Sequence, residues 1–122
     1  MKVYTVQISV ANILNLPNVI DITAASASGH ARTLSPTWDM VNKVKKGKIT
    51  ADEYEKRYFD ILNRALTMGI FEEVFPDKEA TYHLACYCIP GQFCHRHLLS
   101  KYLNTHFGAI RCGEKLQYEE RD

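Results

Sequence analysis

Between Val3 and Val10 apolar and polar residues alternate, which sets Tyr4, Val6, Ile8 and Val10 on one face and predicts a strand. A short connection, Asn12 to Pro17, leads to a nearly continuous apolar run from Val19 to Thr23, the pattern of a buried second strand. The polar stretch that follows, Ala24 to Ser35, is rich in Ala, Ser and Gly and carries His30 and Arg32. Ser35-Pro36 opens a helix, since Ser caps and Pro is preset for the first helical position. Trp38, Val41 and Val44 share one side of it, a stripe that marks Trp38 as core, and Lys46-Gly47 is a favoured stop.

Thr50-Ala51-Asp52-Glu53 has the form of a capping box, so a second helix starts there, with Tyr54, Tyr58, Ile61, Leu62, Ala65 and Leu66 as its inward stripe. Gly69 breaks the stripe, and Ile70 to Phe75 predicts a short turn before Pro76. Ala80 to Cys88 reads as the third strand, and His95 to Phe107 as the last helix, with Gly108 past its end. Ala109 to Cys112 predicts a fourth strand at the sheet edge, and Glu114 to Asp122 a charged tail. Strands alternating with helices indicate one α/β layered domain, with a mostly parallel sheet of about four strands. Only eight residues separate the first two predicted strands, few for a parallel crossover, so an antiparallel pairing stays open there.

Composition narrows the function classes. The 122 residues are 46% hydrophobic and 24% charged, which suits one globular core. Fifteen Lys and Arg against fourteen Asp and Glu leave +1, so no global charge draws the chain to nucleic acid or a membrane surface. No signal-peptide run or membrane span is expected. Three of the four cysteines crowd between Cys86 and Cys94, a poor spacing for disulfide staples, and the expected setting is a reducing cytoplasm.

That crowded segment, Cys86-Tyr87-Cys88-Ile89-Pro90-Gly91-Gln92-Phe93-Cys94-His95-Arg96-His97, is where the chemistry concentrates. The last helix begins with His95, Arg96 and His97 and no acid, which places cations at the positive end of the helix dipole. An anionic ligand would account for that placement, held by Arg96, His97 and the amides around Gly91, Gln92 and Phe93. If the second and third strands are parallel, the loop after the second brings His30, Arg32, Ser26 and Ser28 to the same crevice. Phe93 or Trp38 would then stack on a planar ring.

Two other chemistries compete. Cys94 at a helix start beside His95 has surroundings that favour a thiolate nucleophile with His95 or His97 as base. Alternatively, Cys86, Cys88 and Cys94 with a histidine could hold zinc, the only cofactor the pattern suggests, although a one-residue gap between cysteines is not the usual zinc spacing. A redox pair of Cys88 and Cys94 is a further option.

Asp21-Ile22-Thr23, Ser35-Pro36-Thr37-Trp38-Asp39, Asp52-Glu53-Tyr54, and Cys86-Tyr87-Cys88 through Cys94-His95-Arg96 together resemble the small bacterial and phage proteins of domain-of-unknown-function family 488. The resemblance runs from about Val19 to Phe107 and implies a compact α/β domain with the Cys-His-Arg segment at a helix start. It assigns no activity. The family often has Arg where Thr23 stands here. Taken together, these readings lead to an expected site for a small anionic ligand, a nucleotide or nucleotide-derived metabolite, with turnover by Cys94 as the alternative. Sequestration of a signal by a phage protein would need binding alone, and a homodimer is the expected assembly on base rates.

Overall fold

The computed structural model describes residues 1–89 and 92–117. Its elements in chain order are β1 (Lys2–Gln7), α1 (Ile8–Ile13), β2 (Val19–Asp21), a 3-10 helix (Gly29–Leu34), α2 (Trp38–Lys45), α3 (Ala51–Ala65), α4 (Met68–Val74), β3 (Thr81–Cys86), α5 (His95–Phe107) and β4 (Ile110–Lys115). The four strands form one all-parallel sheet in the order β2-β3-β1-β4. The fold is therefore α/β, with helices packed on both faces of the sheet.

The first strand is shorter than its alternation implies. β1 stops at Gln7, and Ile8–Ile13 turns into a helix whose Val10 and Ala11 pack on Val6 and Ala85. Alternation persists through Val10 because Ile8 and Val10 suit a strand as well as a helix, and burial against the sheet decides for the helix. This also settles the first two strands. Residues 8–18, not eight residues, connect them, and β2 lies beyond β3, parallel to it.

Period two along β3 sorts the two cores. Tyr82 and Leu84 face the large cluster built by α3, α4 and α5, where Tyr58, Leu62, Phe75, Leu99 and Leu103 are fully buried. His83 and Ala85 face the other way, toward α1, and the His83 ring stacks on Tyr4 at 5.5 Å. Cys86, the last residue of β3, thus emerges on the large-core side, as does Thr5 of β1 beside Val3.

The helix starts are fixed by threonines. Thr37, Thr50 and Thr67 each accept a bond from the amide three residues on, at 3.2, 3.1 and 3.3 Å. So α2 begins after Thr37 rather than at Ser35-Pro36, and the Glu53 carboxylate pairs with Arg57. The predicted turn after Gly69 is the helix α4, which contains Gly69. Gly108 ends α5 in the left-handed conformation, φ +69°, that glycine adopts without strain. β4 continues to Lys115, so Glu114 belongs to the sheet and not to a tail; residues 118–122 lie outside the described ones. No helix among the described residues is long and apolar enough to cross a membrane.

Candidate functional site

All strands run the same way, so their carboxyl ends share one edge, and a cleft of about 140 Å³ opens there. The loop after β2 supplies Thr23, Ala24 and Ala25, and the segment after β3 supplies Tyr87 and Cys88. α2 lies across the opening. The Trp38-Val41-Val44 stripe lines this cleft, with Val44 also packed on the core, and Trp38 is 55% exposed, which corrects the reading of it as a core residue. Phe93 is 46% exposed on the opposite lip, edge-on to the buried ring of Tyr54 at 5.2 Å. Lys45, at the end of α2, lines this cleft and the shallower groove beside it.

Three sulfurs stand at the floor. The Sγ atoms of Cys86, Cys88 and Cys94 all lie within 4.8 Å of one another, and none is in a disulfide. Arg96 Nη1 donates to the Cys86 sulfur at 2.9 Å, with the Cys94 thiol beside it. The neighbouring thiol first and then the guanidinium outweigh burial and bring Cys86 from its ordinary 9.0 down to about 6. Cys94 moves the other way, since the Cys86 sulfur beside it and burial both disfavour its own charge. The guanidinium bond thus favours a thiolate at Cys86, beside the Cys94 expected to carry it. The helix start offers Cys94 its amides, but the cation that matters has turned toward the other cysteine.

Arg96 explains the asymmetry. It is fully buried, and four of its five N–H donors are engaged. Nε and Nη2 meet the two oxygens of Glu114 at 3.1 and 2.8 Å, and Nη1 meets Cys86 and the Cys88 carbonyl, the latter at 2.8 Å. The Thr5 hydroxyl donates to Glu114 Oε1 at 2.5 Å, so β1 and β4 together hold the carboxylate. Arg96 thus faces inward, toward the sulfur, and the phosphate contact expected of it has no exposed guanidinium to serve it. Its buried charge is satisfied by a planar, two-bonded pair and a thiolate.

His95 is held by its far nitrogen. The Ile22 carbonyl can only accept, so Nε2, 2.6 Å away, carries the proton, and Nδ1 offers a lone pair to Cys94 Sγ at 3.7 Å. Burial lowers its pKa to about 4, against the pull of that carbonyl, so the ring is neutral at physiological pH. Beside it, burial first and the nearby thiols second raise the Tyr54 hydroxyl, which stays a phenol. Asp21 anchors the β2 loop. Its carboxylate accepts from the Thr23 amide and hydroxyl, each at 2.9 Å, and from Ser26 Oγ at 2.5 Å, while the Tyr87 hydroxyl donates to Ser26 at 3.1 Å.

The remaining expected residues divide. Gln92 is exposed and lines the adjoining groove, and His97 is half-buried, its pKa lowered mainly by burial. His30 and Arg32 sit on the exposed 3-10 helix, and Arg32 Nη1 donates to the Ala27 carbonyl at 3.1 Å; neither lines the cleft. Gly91 lies outside the described residues. Sequence reasoning missed Lys45, and it placed Glu114 in the tail. A helical count from Trp38 (38, 41, 44, 45) would have found the first; nothing local signals the second.

A family described as the active DUF488-N3 subclade matches the chain over residues 27–107, which includes Cys86, Cys88, Cys94, His95 and Arg96 but stops before Glu114. Neither a curated protein nor a solved structure matches.

Proposed function

The chain belongs to the DUF488 family, and on that footing we propose that its cleft binds a small anionic molecule with a planar ring, a nucleotide or nucleotide-derived metabolite, and presents it with the Cys86 thiolate as nucleophile. One observation carries the reading: a sulfur paired with a buried guanidinium at 2.9 Å on the floor of a cleft rimmed by exposed aromatic rings. Trp38 and Phe93 offer faces for the ring to stack on, and Lys45 offers the anion a mobile cation that Arg96 does not. Attack would form a sulfur–carbon bond as the bond to the leaving group breaks. The leaving group departs with its electron pair into the open cleft, where water protonates it. The description of the matching subclade as active agrees with a reacting group rather than binding alone.

The test uses the chain's single tryptophan, Trp38, as reporter. ADP is expected to change its emission and to protect Cys86 from iodoacetamide, and mapped alkylation of Cys86 is expected to reach half its maximal rate near pH 6. Slower alkylation of Cys86 than of half-buried Cys112, or a midpoint above pH 8, would remove the nucleophile. A Cys86→Ser variant that binds ADP as tightly as the parent, with no adduct ever formed by the parent, would reduce the protein to a binder.

A further inference from the structure

The arrangement of the three sulfurs has a use that nucleophilic attack does not require. Cys88 takes no part in the proposed reaction, yet its Sγ joins those of Cys86 and Cys94 within a 4.8 Å group. Zinc and similar soft ions bind thiolates at about 2.3 Å, which places neighbouring sulfurs of one site about 3.8 Å apart. The group is thus within roughly an ångström of a coordination triangle. Cys88 lies past the end of β3 and is half-exposed, so it is the member with room to move.

The surroundings already have the form that supports metal ligands. A thiolate ligand is stabilised by N–H donors, and Arg96 Nη1 donates to Cys86 Sγ at 2.9 Å. Its positive charge also balances the charge in excess when three thiolates meet one divalent ion. His95 Nδ1 adjoins the group through Cys94 at 3.7 Å, close to the roughly 3.6 Å edge between nitrogen and sulfur on a tetrahedral zinc. Its Nε2–H is fixed on the Ile22 carbonyl at 2.6 Å, the backbone partner that orients ligating histidines. A solvated, oxygen-preferring ion finds nothing here, since no carboxylate belongs to the group.

We propose that Cys86, Cys88 and Cys94 form a site for one thiophilic divalent ion of the zinc and cadmium type, which on binding occupies the Cys86 sulfur and silences it. The triangle of sulfurs carries the first part of this; only the silencing rests on the nucleophile proposed above. All three sulfurs line the cleft, so ion and ligand compete for the same space.

The experiment is a cadmium titration of the reduced full chain, kept free of oxygen and read by sulfur-to-cadmium charge-transfer absorption. The expected result is an end point at one ion per chain. In Cys88→Ser the affinity should fall by more than the roughly 10- to 100-fold that loss of a supporting partner costs, while Cys112→Ser binds as the parent does. Cys88→Ser changes a half-exposed position, and its far-ultraviolet circular dichroism checks that it folds. No band, or a band that Cys88→Ser keeps and Cys112→Ser loses, overturns the site. Iodoacetamide separates the two ideas. Rapid Cys86 alkylation without cadmium binding removes the metal site alone. One bound cadmium with a sluggish Cys86 in the metal-free chain removes the nucleophile and leaves the metal site standing.

Discussion

Glu114→Gln removes the charge opposite Arg96 and keeps the size of the side chain. In the intact protein that carboxylate receives two bonds from a guanidinium with no exposure, and its own side chain is 17% exposed. Removing one partner of a buried pair costs about 3–5 kcal/mol. The part of Glu114 still in water, and the acceptor oxygen that Gln retains, bring the expectation down to about 2–3 kcal/mol. With a urea m-value of about 1–3 kcal/mol/M for a small domain, the midpoint should fall by roughly 1–2 M. The loss should also depend on pH. At pH 8 the Cys86 thiolate still compensates Arg96; at pH 5.5, below the value of about 6 for Cys86, most of that anion is protonated and the variant keeps a buried cation with mainly neutral acceptors. Urea unfolding followed by circular dichroism at both pH values measures this. A midpoint within about 0.3 M of the parent at both values, or a larger loss at pH 8 than at 5.5, would refute the shared-cation account. Thr5→Val, which deletes the other bond to Glu114, should cost about 1–2 kcal/mol alone and less than that in the double variant.

The parent's stability should fall as pH is lowered from 9 toward 4. Cys86, lowered from 9.0 to about 6, contributes fully above 9 and loses its contribution as pH falls to about 6; His95, lowered from 6.5 to about 4, adds a second decline between those values. A melting temperature that is flat or rises on acidification across this span would contradict both. Tyr58→Phe should cost about 1–3 kcal/mol in urea unfolding, because it leaves the Leu34 carbonyl, now bonded at 2.6 Å, buried without a donor.

The sequence carried the parts of this fold that are set by local physics. Thr50 as a cap, the Tyr54-Tyr58-Leu62 stripe and Gly108 as a stop are each decided within a few residues, and each stands in the structure. α1 was hidden because Ile8 and Val10 satisfy both periods, and only the sheet face under them chooses between the two. At the site, the cysteines and the Cys-His-Arg start were legible as a cluster, and the parallel strands do bring them to one sheet edge. What could not be read was direction. Whether Arg96 points into solvent or into the protein depends on Glu114, eighteen positions on and on another strand, and that orientation decides which cysteine is charged.

The dependence on β4 gives the protein an order of assembly. Synthesis runs from the amino end, and a nascent chain that has emerged through α5 already holds all three clustered cysteines and the arginine, but not the carboxylate. Until Ile110–Lys115 adds to the open edge of β1, Arg96 lacks the carboxylate that holds its other two nitrogens. The guanidinium beside Cys86 is thus fixed last, by a strand at the rim of the sheet. A chain still on the ribosome, or one clipped before Glu114, would carry that buried cation without the carboxylate it pairs with.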